Sequence, residues 1–381
     1  MITDVAPLIT DEALRAIIQD HGTPFYVYSK RILRSTITEL RAAFPRDGVR
    51  LLFATMANDL PEFLQEMARC GVGGCVNSMR HLHMALKSGM PTENLQFTSS
   101  GISLPDMRQL HQLGVAVNLD SLGQLDQWTG IASGQVAGMR INTASLAPGV
   151  PAPDRLGIEA SRLPEALELA HERGGRINGL HIYVGTNFSD PEAMLVPLRA
   201  FFNLAREVPG LDYVNIGGGV GVDHAGTTTP FDLERFGKGV CEQLDLLRTW
   251  LRKDIRLIFE PGRRIAATSA VFGARVTDVK LLNGQRYIAT DASIAVFPRP
   301  FHHPESPHRT RVAFRNTESS LERSVVVGRT TFSRDILAVV ALPIDTQIGD
   351  VLLFENAGAY CDSMRMRFLG QEAPSNVFVE Q

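Results

Sequence analysis

Between residues 49 and 259 lie eight short apolar runs with seven stretches of helical spacing between them. The runs fall at 49–55, 72–77, 95–98, 115–119, 137–141, 179–184, 213–216 and 256–259. Each is too short for a helix and too apolar for a loop, which is how parallel strands buried on both faces are spelled. Helical patterns fill the gaps at 60–70, 79–88, 104–113, 121–129, 163–173, 191–207 and 231–253. Such alternation specifies a parallel sheet covered by helices, either closed as a (β/α)₈ barrel or open and doubly wound. Eight repeats over about 210 residues favour closure.

Barrels place their chemistry at the C-terminal ends of the strands, so those residues come first. The first strand runs Leu51-Leu52-Phe53-Ala54-Thr55-Met56-Ala57-Asn58 and gives way to a helix start at Asp59-Leu60-Pro61-Glu62. Thr55 and Met56 are thereby delivered to the barrel mouth. The seventh strand ends Asn215-Ile216-Gly217-Gly218-Gly219-Val220-Gly221. Three adjacent glycines let bare backbone N–H groups converge on an anion, and loops after strands seven and eight often bind phosphate. A tight turn without a ligand has the same letters. The eighth strand ends Phe259-Glu260-Pro261-Gly262-Arg263, one carboxylate and one guanidinium at the same mouth. A structural ion pair is the plainer alternative.

Ahead of the repeats, residues 11–20 read as a helix, 23–28 as a strand entered through Pro24, and 29–43 as an amphipathic helix. After Glu260 short strands separated by turns take over, at 268–279, 286–291, 312–314, 325–327, 338–342 and 351–353. The expected organisation is a segment 1–28 contributing to a β-domain, a barrel over 29–264, and an all-β domain over 265–381. The three histidines of His302-His303-Pro304-Glu305-Ser306-Pro307-His308 could bind a metal, but the composition reads better as a solvated loop.

Composition excludes several classes. A net charge of −3 without a basic block argues against nucleic acid, and no apolar run is long enough to span a bilayer. Cys70, Cys75, Cys241 and Cys361 have neither metal nor disulfide spacing, and Met1-Ile2-Thr3-Asp4 does not read as a secretory leader. The expected place of work is the cytoplasm.

The ordered segments from Thr23-Pro24-Phe25-Tyr26-Val27-Tyr28 to Ala357-Gly358-Ala359-Tyr360 resemble the fold-type III pyridoxal-phosphate decarboxylases. These are the diaminopimelate, ornithine and arginine decarboxylase group, related to alanine racemase. The resemblance implies a biosynthetic lyase in which Gly217, Gly218, Gly219 and Gly262 shape the phosphate site and Arg263 and Tyr360 complete it. It places Glu260 opposite the pyridine nitrogen, Arg140 (in Met139-Arg140-Ile141-Asn142) near the cofactor, and Arg299 (in Pro298-Arg299-Pro300-Phe301) on the substrate carboxylate. It also implies a head-to-tail homodimer with shared sites, in which Thr331 and Asp335 come from the second copy.

The departures fall on the catalytic positions. The family's Schiff-base lysine lies in a Y/F-A-x-K-A-N segment; here Phe53-Ala54-Thr55-Met56-Ala57-Asn58 puts Met56 in its place. A thioether can neither form an imine nor carry a proton. The five lysines, Lys30, Lys87, Lys238, Lys253 and Lys280, fall on expected helices or in the β-domain. The family's H-x-H-x-G-S reads His181-Ile182-Tyr183-Val184-Gly185-Thr186, so Tyr183 replaces the imidazole that stacks on the cofactor ring and is the candidate acid/base. The G-x-T-C-x-S-x-D segment reads Gly328-Arg329-Thr330-Thr331-Phe332-Ser333-Arg334-Asp335. Thr331 replaces its cysteine, and Phe332 replaces an acid associated with basic-amine substrates. His81 stands where an acid is expected after Ser78. A lone Met56 would also fit an engineered knockout; coincident changes at Tyr183, Thr331 and Phe332 favour natural divergence, in which the phosphate and carboxylate handles remain while the covalent machinery is gone.

Two functions follow from the resemblance. One is a divergent decarboxylase acting on an amino acid with its cofactor held noncovalently. The other is a ligand-binding pseudoenzyme or regulator of an active paralogue.

Overall fold

The computed structural model describes residues 8–146, 155–227, 229–315 and 319–381; the segment Met1-Ile2-Thr3-Asp4 lies outside them. Helix α1 (Asp11–His21), strand β1 (Phe25–Ser29) and helix α2 (Lys30–Ala43) come first. Eight parallel strands then follow in order: β2 (Val49–Ala54), β3 (Gly73–Val76), β4 (Leu95–Thr98), β5 (Ala116–Leu119), β6 (Val136–Ile141), β7 (Arg176–Ile182), β8 (Tyr213–Asn215) and β9 (Arg256–Phe259). They form a closed barrel, β9 returning to β2 with Val49 opposite Leu257. The open doubly wound arrangement is excluded.

The helices between them are α3 (Pro61–Arg69), α4 (Met79–Lys87), α5 (Leu104–Leu113), α6 (Leu122–Thr129), α7 (Thr143–Leu146), α8 (Leu163–Glu172), α9 (Pro191–Ala205) and α10 (Leu233–Leu251). Their starts are written in the sequence. Ser78, Ser103 and Ser121 accept from the backbone N–H three residues on, and Pro61 occupies the first turn of α3, where no hydrogen bond is lost. These caps set the loops at the C-terminal ends of the strands. In the loop after β2, Thr55–Ala57 make one 3₁₀ turn, and Asn58 Oδ1 accepts from Leu60 N at 3.1 Å.

Residues 37–222 and 230–262 form one compact unit; the described residues before 37, together with 223–229 and 263–381, form the other. The second unit carries the short helices α11 (Arg263–Ala266) and α12 (Arg299–His302). Its strands are β10 (Ala270–Leu282), β11 (Gln285–Thr290), β12 (Thr310–Val312), β13 (Leu321–Val327), β14 (Ile336–Pro343), β15 (Val351–Phe354) and β16 (Ser375–Val379). The sheet order is β12-β15-β10-β11-β13-β14, and β1 joins β10 on one side and β16 on the other. Most pairs are antiparallel, but β1 with β16 and β11 with β13 are parallel. Ile9, Leu14, Ile17, Phe25, Val27, Val271, Val351 and Leu353 form one core there. No helix among the described residues is long and apolar enough to cross a membrane.

One expectation is corrected here. The loop read as solvated at His302–His308 is only partly so: His302 closes α12, and His308 is buried. His303 stays outside, paired with Glu305 at 3.2 Å. No group of three or more histidine, cysteine or acidic side chains among the described residues is disposed to hold a metal ion.

Candidate active site

Glu260 follows β9 and is buried. Asn215, the last residue of β8, donates from Nδ2 to Glu260 Oε1 at 2.6 Å and to Gln96 Oε1 at 2.5 Å. Its Oδ1 accepts from Gly217 N at 2.8 Å. One amide thus ties the carboxylate to the glycine turn. His181, the penultimate residue of β7, brings Nε2 to 3.4 Å from Glu260 Oε2. Burial pushes the Glu260 carboxyl up, but His181, Asn215 and Cys75 together hold it below its ordinary value, so it is ionised. Burial, aided by Arg140 and opposed by Glu260, pushes the His181 imidazole down. A neutral imidazole donating from Nε2 leaves Nδ1 as an acceptor, and that buried atom has no partner among the described residues.

The turn after β8 is built for close approach. Gly217 has φ +63 and Gly219 φ +115, a region L side chains rarely enter. A Cβ at Gly217, Gly218 or Gly219 would lie 2.5, 2.5 or 2.6 Å from the carbonyl oxygens of Ile182, Glu260 and Gly185. Glu260 N donates to Gly217 O at 2.8 Å, locking the turn against the end of β9. Gly262 has the same character: a Cβ would stand 3.0 Å from that of Ala54 and 3.2 Å from that of Ala57. The turn bearing Met56 therefore packs against the loop after Glu260, and Met56 itself is 46% exposed.

Arg140, on β6, is buried, with NH1 3.3 Å from Asp120 Oδ1 and its guanidinium 5.8 Å from the centre of the Tyr183 ring. Its Nε has no hydrogen-bond partner among the described residues. The Tyr183 hydroxyl bonds Thr186 Oγ1. No barrel strand ends in a lysine. Lys87, Lys238, Lys253 and Lys280 are exposed, Lys253 against Asp212 at 2.6 Å, and Lys30 pairs with Glu380 at 3.3 Å.

The β-unit holds a separate group of cations. Arg299 is buried, and its NH1 and NH2 reach Ser306 O at 2.7 Å, Ser306 Oγ at 3.1 Å and His308 Nε2 at 3.3 Å, all neutral. Its Nε has no partner. His308 donates from Nδ1 to Glu355 O at 2.7 Å, which leaves Nε2 to accept from Arg299. Burial, with Arg263 nearby, pushes the guanidinium down to about 10, still charged at neutral pH. Arg263 lies 4.8 Å from the centre of the Tyr360 ring. Two guanidiniums beside a histidine that burial and Arg299 push down to about 3 make a cationic site, with no carboxylate among the described residues hydrogen-bonded to Arg299.

The loop bearing Thr331 is pinned from within. Asp335 accepts from Ile294 N at 2.8 Å, Thr330 N at 3.2 Å and Thr330 Oγ1 at 2.6 Å. Its carboxylate shapes the loop that exposes Thr331. Phe332 rests on Phe301 and Phe368, with ring centres 6.3 and 5.4 Å apart.

From sequence alone Asn215 and Asp120 carried no assigned role, His181 was not paired with Glu260, and His308 fell in a loop expected to be solvated. Polar residues at the ends of otherwise apolar strands were the available signal for the barrel members.

The sequence profile "Pyridoxal-dependent decarboxylase, pyridoxal binding domain" matches residues 30–267, more than half of the chain. The chain belongs to the pyridoxal-dependent decarboxylases. The diaminopimelate decarboxylase of Archaeoglobus fulgidus is 27% identical over 394 residues, covering 98% of this chain and 92% of the relative. A probable chloroplastic diaminopimelate decarboxylase of Oryza sativa is 28% identical over 382 residues, 94% of this chain and 75% of the relative. The crystal structure of Helicobacter pylori diaminopimelate decarboxylase complexed with L-lysine superposes with TM-score 0.87 at 23% identity, covering 96% of this chain and 94% of that one. The chain thus shares the fold of that structure, and its family uses pyridoxal phosphate. The residues present fit that cofactor: a glycine cradle, an ionised buried acid beside it, and two buried polar atoms still wanting partners, His181 Nδ1 and Arg140 Nε.

Proposed function

We propose that this decarboxylase is a carboxy-lyase acting on an amino acid, with pyridoxal phosphate held noncovalently because Met56 occupies the lysine position. The observation that carries the reading is Glu260: buried, ionised, and bonded through Asn215 to the glycine turn. Pyridoxal phosphate, when bound, supplies an electron sink. Gly218 and Gly219 would present backbone N–H groups to its phosphate, while Gly217, whose N–H is held by Asn215 Oδ1, shapes the turn. Glu260 holds a proton at the pyridine nitrogen, and His181 and Arg140 steady that end of the pocket. Tyr183 lies against the ring. In the β-unit, Arg299 takes an anionic group of the substrate, and Arg263, faced by Tyr360, is a phosphate ligand. A second copy brings Thr331 on the loop that Asp335 anchors, making the active form a homodimer. Relatives named diaminopimelate decarboxylase make that amino acid the first to try, although Phe332 argues against a substrate with a free distal amine.

The absence of lysine from every strand end favours a second reading, a binding protein without turnover. Pyridoxal phosphate titration, dialysis, borohydride treatment and carbon dioxide release from a panel of amino acids separate the two. Reversible binding with carbon dioxide release supports the lyase. Binding without release supports the pseudoenzyme. Glu260→Gln should retain cofactor binding while lowering release; unchanged release would refute the role given to Glu260.

A further inference from the structure

The interior of a parallel barrel is ordinarily filled by branched apolar side chains. Part of this one is polar. Gln96 and Thr98 on β4, Asn118 on β5, and Tyr213 and Asn215 on β8 are all buried. Glycine makes the room: a Cβ at Gly138 on β6 or Gly179 on β7 would overlap Tyr213. Leu52 and Ile258 pack with Tyr213 in the same cluster.

The hydrogen bonds among these side chains run in one direction, and a single backbone N–H fixes it. Gly217 N donates to Asn215 Oδ1 at 2.8 Å, so Asn215 Nδ2 is the atom turned to Glu260 Oε1 and to Gln96. Gln96 must then present Oε1 to Asn215, which leaves its Nε2 to donate to Asn118 Oδ1 at 3.3 Å. Asn118 Oδ1 also accepts from the Tyr213 hydroxyl at 2.8 Å, and Asn118 Nδ2 donates to Thr98 Oγ1 at 2.9 Å. Burial pushes the Tyr213 phenol up, so the hydroxyl keeps the proton this bond needs. Reversing Gln96 or Asn118 alone would set two N–H groups against each other. Without the Tyr213 hydroxyl, Asn118 Oδ1 loses one of its two donors and both amides reverse more easily. A reversed Gln96 would turn its N–H groups on Asn215 and disturb the amide that meets Glu260.

We propose that Tyr213, acting through Asn118 and Gln96, is a positioning residue that holds the Asn215 amide with its N–H on the Glu260 carboxylate. What this does for the reaction rests on the lyase reading above, because an ionised Glu260 is what holds a proton at the pyridine nitrogen. His181 on β7 and Cys75 on β3 also face Glu260, with Arg140 and Asp120 beyond His181. The chain from Tyr213 is therefore one of several influences on that carboxyl.

Three variants test the proposal, with a readout that needs no cofactor. Tyr213→Phe removes the hydroxyl and keeps the ring that fills the space at Gly138 and Gly179. Gln96→Leu removes the acceptor next to Asn215. Leu52→Val loses one methylene beside Tyr213 and leaves every polar atom of the chain in place. Protonation of Glu260 is followed by carbon-13 NMR of labelled glutamate carboxyls in the cofactor-free protein, with Glu260→Gln identifying the signal. The pH of half-protonation should rise by about half a unit to one unit in Tyr213→Phe, the worth of one hydrogen bond, and by at least as much in Gln96→Leu. It should stay unchanged in Leu52→Val. With cofactor bound, Tyr213→Phe should lower kcat for carbon dioxide release by about 3- to 10-fold and leave KM unchanged. A Glu260 signal unmoved in both Tyr213→Phe and Gln96→Leu overturns the proposal. An equal shift in Leu52→Val also overturns it, because packing alone would then account for the effect. Unchanged kcat in a Tyr213→Phe protein whose Glu260 has shifted overturns the part given to the chain in the reaction. Failure of wild type to bind pyridoxal phosphate or release carbon dioxide would instead refute the lyase reading and leave the NMR result standing, so the two failures are distinguishable.

Discussion

Replacing Met56 by lysine tests whether residue 56 faces the cofactor. Methionine and lysine have similar length, and Met56 already leaves 46% of its surface in water. The most the substitution forfeits is roughly half of a methionine's burial, on the order of 1 kcal/mol. The lysine stem recovers much of that by covering the same apolar surface. Thermal unfolding of Met56→Lys should therefore fall within about 2–4 °C of wild type, the shift expected for 1 kcal/mol in a large domain. The new amine, at the end of β2 and packed beside the loop after Glu260, should attach pyridoxal phosphate covalently. After cofactor addition, borohydride reduction and digestion, mass spectrometry should find the adduct on residue 56 and none on wild type. No adduct on the variant would refute the placement of residue 56. An adduct on any of the five native lysines of wild type would refute noncovalent retention.

Gly218→Ala puts a methyl 2.5 Å from the Glu260 carbonyl oxygen, a backbone atom that cannot swing aside. A loss of about 1–3 kcal/mol in thermal unfolding and weaker cofactor binding are expected, with Gly101→Ala, in open space, as a neutral control. Arg299→Gln keeps donors for Ser306 but removes the charge. It should raise KM for an anionic substrate by about 10- to 100-fold through loss of a charge-assisted contact, leaving cofactor affinity unchanged. His308 supplies a pH signature. Burial and Arg299 depress its imidazole from 6.5 to about 3, so between those values the unfolded chain binds a proton that the folded one refuses. Stability should fall as pH drops through that window, by up to roughly 5 kcal/mol, and His308→Gln should flatten the slope measured by denaturant unfolding.

The barrel was legible because its strands are short, apolar on both faces and separated by capped amphipathic helices. Strand ends moved by up to three residues: β7 begins at Arg176 where residue 179 was expected, since charged residues at a strand entry carry no apolar signal. Strand β16 was missed because Ser375–Val379 is half-buried throughout and resembles an irregular tail until β1 lies beside it. His308 was misread for a related reason. Its neighbours are proline, serine and glutamate, and what draws it inside is the Glu355 carbonyl, 47 residues along the chain. Within the site, sequence identified Glu260 and the glycine turn. The amide joining them meets Gln96 as well, 119 residues away, a contact that only the closed barrel creates. Asp335 shows the opposite limit, for its position was readable while the direction of its carboxylate was not.

In the β-unit, Phe25 lies opposite Ser375, so β1 must wait through 350 further positions of synthesis before its parallel neighbour exists. During translation one flank of that early strand stays unsatisfied long after the barrel strands have emerged, an exposed edge of the kind that invites pairing with other chains. Removing Ser375–Val379 would make this temporary hazard permanent. Ribosome-stalled or C-terminally clipped forms should therefore aggregate through β1 even where the barrel itself is fully formed.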